Sequence, residues 1–122
     1  MECIQEFVRE GKNFIYLDFS ELSASSELLS LIEEAKPVIA KYPEKSLYTI
    51  SDFDRIRLDS LPKEVMSEFM EHNAPYVRYG AIIGLDGVKR LFANTLMKMS
   101  GRKNMHVAFS MEQAIEWLLK QD

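Results

Sequence analysis

The chain has 122 residues, 47% of them hydrophobic and 28% charged, and its net charge is -4. That length suits one domain able to bury a real core, and the acidic balance argues against nucleic acid or an anionic membrane as the main partner. Cys3 is the only cysteine, which excludes an internal disulfide and a thiolate metal site. Met1–Glu6 lacks a basic region followed by an apolar stretch, and no apolar run reaches membrane-spanning length. The expectation is a cytoplasmic protein with no integral membrane segment.

In chain order, Ile4–Arg9 alternates weakly, Glu10-Gly11-Lys12-Asn13 supplies turn residues, and Phe14–Phe19 reads as a strong strand. Together they predict a β-hairpin, although Ile4, Phe7 and Val8 also fit helical spacing. Ser23 to Ser26 offer N-caps for a helix to about Lys41, with Leu28, Leu31, Ile32, Ala35 and Ile39 as its apolar stripe. Pro37 falls inside that pattern and should kink or divide the helix. Ser46–Ser51 is the next strand, and Asp52–Leu58 a charged loop. Ser60 and Pro62 start a second helix, which buries Leu61, Val65, Met66, Phe69 and Met70.

Arg78–Gly84 reads as a buried strand, and Asp86-Gly87 opens a third helix closed by Ser100-Gly101. Val88, Leu91, Phe92, Thr95, Leu96 and Met99 define its apolar stripe, close to the i, i+3, i+4, i+7 template; Met97 falls off it. Met105–Phe109 is the last strand. Ser110 and Gln113 form a capping box for a fourth helix, whose face is Met111, Ala114, Ile115, Leu118 and Leu119. The grammar gives a single α/β domain over 1–122: a mixed, mostly parallel sheet of roughly five strands with an N-terminal hairpin, flanked by four helices.

The carboxyl ends of parallel strands are where ligands collect, and here they would gather Asp18, Asp52, Asp54, Asp59, Ser60 and Asp86. Such a cluster could hold a hard cation, but aspartate is equally at home in turns and at helix starts, bonded to backbone amides. Gly84-Leu85-Asp86-Gly87 lacks the lysine of a P-loop and the spaced glycines of a dinucleotide site; Gly84 and Gly87 serve backbone geometry, and Asp86 serves as N-cap. His72 and His106 have no partner at ligand spacing, and no serine sits in a Gly-x-Ser-x-Gly elbow. Neither a catalytic residue, nor a metal ligand set, nor a cofactor motif emerges. Met97 to Met111 holds four methionines, and an apolar groove around the third helix is the other candidate site, with Phe92, Leu96 and Met99 as its residues. Lys98, Arg102 and Lys103 complement the end of that helix.

Three stretches carry a family resemblance: Gly11–Ser20, Lys45–Asp52 and Ala81–Arg90, the last continued by Ser100–Lys103 and Glu112–Leu118. On these the chain resembles STAS domains, the anti-sigma-factor antagonist and sulfate-transporter-tail family, and is similar to small stand-alone STAS-like proteins that are also compared with the Sec14-type lipid-binding fold. The resemblance implies a non-enzymatic regulatory or scaffolding module acting through a protein partner. It matches Asp59-Ser60 to the family's phosphorylatable position, where a phosphate would add charge at a helix start; Ser60 also fits as a simple N-cap. The Sec14 comparison implies, as a different class of function, a small apolar ligand or lipid. A homodimer is a further partner compatible with the sequence.

Overall fold

A computed structural model describes residues 3–20, 22, 25–56, 62–100 and 103–121; for residues 25, 92, 96, 99 and 100 the description stops at the backbone. The described elements run β1 (Ile4–Arg9), β2 (Lys12–Asp18), α1 (Ser25–Ala40), β3 (Leu47–Asp52), α2 (Lys63–Asn73), β4 (Val77–Ile83), α3 (Gly87–Ser100), β5 (Met105–Val107) and α4 (Met111–Leu119). They form one five-stranded sheet in the order β1-β2-β3-β4-β5. β1 and β2 are antiparallel, and the other pairs are parallel. The expected fold class is therefore the observed one.

The hairpin is tighter than the sequence suggested. Glu10 and Gly11 alone make the turn, both at positive φ, so Lys12 and Asn13 join the strand and pair with Arg9 and Val8. Two-residue turns of this hand match the natural twist of paired strands.

Strands following one another in sequence order through crossovers of one hand place their helices on one face. Accordingly Ile15, Leu17, Leu47, Val77 and Ile82 share one core with Leu28, Leu31, Ile32, Ala35 and Ile39 of α1, Met66, Phe69 and Met70 of α2, and Ala93 of α3. The opposite face carries Phe14, Tyr48, Ile50, Ala81 and Ile83, and α4 covers it with Ala114 and Leu118. β4 changes parity between Val77 and Tyr79, which pair with the adjacent residues Leu47 and Tyr48. Asn104 serves the extra residue this creates, donating from Nδ2 to the carbonyls of Val77 (3.3 Å) and Arg78 (2.6 Å). A bulge that re-aims a strand thus keeps its backbone oxygens satisfied.

Four local expectations need correction. Pro37 does not divide α1, which runs unbroken from Ser25 to Ala40; the proline is exposed, so the carbonyl it leaves without a donor is on the solvent side while the buried stripe continues through Ile39. The second helix begins at Lys63, with Pro62 in the extended N-cap position, because φ near -65° suits the residue that enters a helix as well as its first turn. β5 ends at Val107: Ala108 still donates to Ile82 O at 2.9 Å, and Phe109 turns away from the sheet. In the capping box, Ser110 Oγ accepts from Gln113 N at 3.1 Å, but Gln113 Oε1 reaches back to the amide of Phe109, one residue earlier than the usual reciprocal partner.

Among the described residues, no helix is long and apolar enough to cross a membrane.

Candidate functional site

The parallel register sets Asp18 directly beside Asp52 at the carboxyl end of the sheet. Two carboxylates there would repel unless each had donors, and each does. Asp18 Oδ1 accepts from the Ser20 amide at 2.9 Å and from the Ser20 hydroxyl. Asp52 Oδ1 accepts from the Asp54 amide at 3.0 Å, and its Oδ2 accepts from the Tyr16 hydroxyl at 2.6 Å. The bonds from Ser20 and from the Asp54 amide are turn-closing, the use of aspartate that stabilises chain reversals, and the Tyr16 bond ties β2 to β3. Burial and then the hydrogen bond to Asp52 push the Tyr16 phenol well above its ordinary value, with the charges of Asp18 and Asp54 acting in the same sense.

Asp86 belongs to the start of α3, where its Oδ1 accepts from the Lys89 amide at 3.1 Å. Its N-cap role is as expected. Gly84, at φ +82°, lies so close to the next loop that a Cβ there would fall 2.3 Å from the Asp54 amide nitrogen. Gly87 has open space around it and no left-handed backbone, so no geometric need for glycine exists there. Asp59 and Ser60 lie outside the described residues. Of the six polar residues expected at this edge, the structure brings Asp18, Asp52 and Asp54 into one hydrogen-bonded corner. No group of three or more His, Cys, Asp or Glu among the described residues is placed to hold a metal ion.

The histidines have structural surroundings. His72 Nδ1 lies 2.9 Å from Asn73 Oδ1, and its ring tilts against Tyr76. His106 stacks on Trp117 at 4.5 Å between centroids and ends a row of six rings that crosses the sheet under α4. The row continues through Trp117–Tyr79, Tyr79–Tyr48, Tyr48–Phe14 and Phe14–Phe7. Lys12 anchors its middle, 5.1 Å above Tyr48, while its Nζ donates to the carbonyls of Leu119 (3.0 Å) and Gln121 (2.6 Å) at the end of α4. A cation there completes the carbonyls that a helix C-terminus leaves open.

The unexpected surface is α3. Its periodicity placed Val88, Leu91 and Thr95 on the buried stripe, yet Val88 is 65% and Leu91 70% exposed, and Thr95 is exposed too. Ala93, at 6%, and Met97, which the stripe excluded, pack on the core instead. Phe109 joins Val88 and Leu91 as an exposed hydrophobe at 70%, with the Arg90 guanidinium 4.0 Å over its ring. Arg90 is itself held by Nε donating to Leu85 O at 3.3 Å. From Leu91 a broad groove of about 650 Å³ runs between α3 and the free edge of β5, lined by Asn94, Thr95, Met97, Lys98, Lys103 and Met105. The side chains of Phe92, Leu96 and Met99, named from sequence for a groove on this helix, lie outside the described residues; the groove found on α3 is formed by Leu91, Met97 and neighbours.

Between the sheet, α2 and α3 lies an interior cavity of about 50 Å³, walled by Leu17, Phe19, Phe69, Met70 and Ala93, with Thr49, Ser51 and Lys89 at its polar points. It has room for a few water molecules, against the roughly 300–1,000 Å³ of ordinary ligand pockets.

Sequence reasoning found the aspartate corner and missed its tyrosine, because Tyr16 reads as an ordinary alternating strand residue. It also missed the exposed trio. A signal was present: from Gly87 to Met111 the sequence holds Lys89, Arg90, Lys98, Arg102 and Lys103 and no Asp or Glu. Comparison of the chain with protein-family models, with curated proteins and with solved structures finds no match.

Proposed function

We propose that this chain is a non-enzymatic, STAS-like interaction module that works in the cytoplasm by binding a protein partner through the α3 surface. The observation that carries this reading is the exposure of Val88, Leu91 and Phe109 beside a groove of about 650 Å³. Scattered surface hydrophobes are ordinary, but Val88 and Leu91 on one helix and Phe109 in the turn after β5, under Arg90 of that helix, support a contact surface. The aspartate corner supports it from the other side, since the carboxylates of Asp18 and Asp52 are taken up by amides and a phenol. Phosphorylation at Ser60 is the switch the resemblance suggests, through the charge it would add to the segment before α2 in sequence.

The test is cross-linking in the native cells with the tagged full chain, comparing wild type with Leu91→Ser and Phe109→Ser. A partner recovered in stoichiometric amounts by wild type and lost from both variants is expected. Equal recovery by all three chains, or no partner from any of them, would remove the reading. Ser60→Ala and Ser60→Asp should change that partner's affinity in opposite directions, and unchanged affinity in both would remove the switch alone.

A second reading, a small apolar ligand, draws on the Sec14-type resemblance and needs the apolar-walled cavity of about 50 Å³ to open around its guest. Native mass spectrometry of protein from its own cells should then show a bound mass that denaturation releases; the bare chain mass alone would discard it.

A further inference from the structure

The groove between α3 and β5 has a chemistry that narrows its occupant. The segment Gly87–Met111 carries five cations and no anion, leaving ten cations against nineteen anions in the rest of the chain. The groove is therefore the basic pole of an acidic protein. Lys98 and Lys103 are exposed and line it, with Leu91, Met97 and Met105 as its apolar walls and Asn94 and Thr95 between them. Lys89 and Arg90 are already engaged with the carbonyls of Phe53 and Leu85, so among the described residues the cations lining the groove are Lys98 and Lys103.

Three kinds of occupant can be weighed. An anionic bilayer would meet the lysines, but its apolar region would also cover the Asn94 amide, and a bilayer offers that group no fixed partner, whereas the Thr95 hydroxyl already donates to Leu91 O at 3.0 Å. A second copy would have to present an acidic surface. Its candidate is the groove between β1 and α1, where Glu6, Glu27 and Glu34 stand among Ile4, Leu31 and Val38. Two depressions do not fill one another, and α3 against α3 would oppose like charges. What remains is a chain segment narrow enough to enter, with carboxylates beside its apolar side chains and a backbone able to bond with Asn94 and with the free edge of β5.

We propose that the α3–β5 groove receives an acidic, amphipathic segment of a different protein, its apolar side chains against Leu91, Met97 and Met105 and its carboxylates at Lys98 and Lys103. This rests on the interaction-module reading and names the partner's chemistry. Complementary charge of this kind sets orientation and arrival rate, and the apolar contacts set residence time.

The experiment is selection from a random peptide display library on the immobilised full chain, followed by affinity measurement on the double variant Lys98→Gln/Lys103→Gln. Both lysines are exposed, and a melting curve matching wild type confirms that the variant folds. Expected are peptides in which Asp or Glu alternates with large apolar residues, bound about tenfold more weakly by the double variant and more weakly as salt is added. Recovery of acid-poor peptides, of none, or of peptides that bind the variant as well as wild type would overturn the proposal. So would co-sedimentation with mixed phosphatidylcholine and phosphatidylserine vesicles, or self-association in sedimentation velocity, when either is abolished by the same double variant. If the selection fails while a Leu91-dependent partner is still cross-linked in cells, this inference falls alone. If no such partner is found, the wider reading falls with it.

Discussion

The aspartate corner and the α3 surface are opposites. At Asp18, Asp52 and Asp54 the residue types advertise chemistry, yet the structure commits the carboxylates of Asp18 and Asp52 to amides and to Tyr16, and leaves that of Asp54 in solvent 3.6 Å from Arg55. At Val88, Leu91 and Phe109 the residue types advertise a core, and the structure leaves them in water. Function is better sought where a side chain and its surroundings disagree than where a side chain alone looks reactive. An aspartate whose oxygens already accept from donors is at rest, whereas an exposed leucine is a standing cost that a partner can relieve.

The corner can be broken most severely at Gly84. Its φ of +82° disfavours any side chain, and the Asp54 backbone occupies the place of a Cβ. Gly84→Ala should cost about 3 kcal/mol, read as a lower urea midpoint at unchanged slope. A loss below about 0.5 kcal/mol would mean that this loop yields freely and that the corner is not the rigid structure its bonds describe.

Asp52→Ala comes next. It strands the part-buried Tyr16 hydroxyl and frees the exposed Asp54 amide to water, and about 1–2 kcal/mol should be lost, most of it at Tyr16. If the corner were instead a strained carboxylate pair kept for catalysis, removing one charge beside Asp18 would stabilise the fold. The sign of the change decides between these descriptions.

The corner also sets an alkaline limit. Tyr16 is raised by burial and by Asp52, and Tyr42 is pushed up to about 12 by burial and by its hydrogen bond to Glu6. A raised phenol means that the folded chain holds its proton more tightly than the unfolded one. The stabilisation is whole below about pH 10, the ordinary tyrosine value, and is lost as pH climbs through the folded values. Melting temperature should therefore fall above pH 10, and less steeply in Tyr16→Phe. An identical alkaline slope in that variant would detach Tyr16 from the effect.

How much of this could be read from the residues follows the same divide. Ser110 with Gln113, Asp86 before α3, and the Ala114/Leu118 stripe are local signals, and each stands where it was expected or within one residue of it. Strand pairing carried less warning. The bulge at Arg78 depends on Asn104, twenty-six residues away, and nothing in the neighbourhood of Arg78 announces it. The buried face of α3 is not legible in its periodicity for a physical reason. Its apolar residues fill more than half a turn, so periodicity offers several possible buried faces, and the choice of Ala93 and Met97 is made by α2 and the sheet.

The smallest expected effect is the most informative about α3. Leu91→Ser should leave stability within about 0.5 kcal/mol of wild type, since a side chain 70% exposed gains little from folding. The same type of substitution at a leucine that is fully buried, Leu118→Ser in α4, should cost several times more because it empties a packed site and buries a hydroxyl. Thermal melts of the two variants at equal concentration make the comparison. A large loss at Leu91 would mean that the free chain already covers this residue, and the argument for a docking surface on α3 would lose its footing. Near-neutrality at Leu91 beside a large loss at Leu118 would separate the leucine that holds the fold from the one that the fold leaves for another molecule.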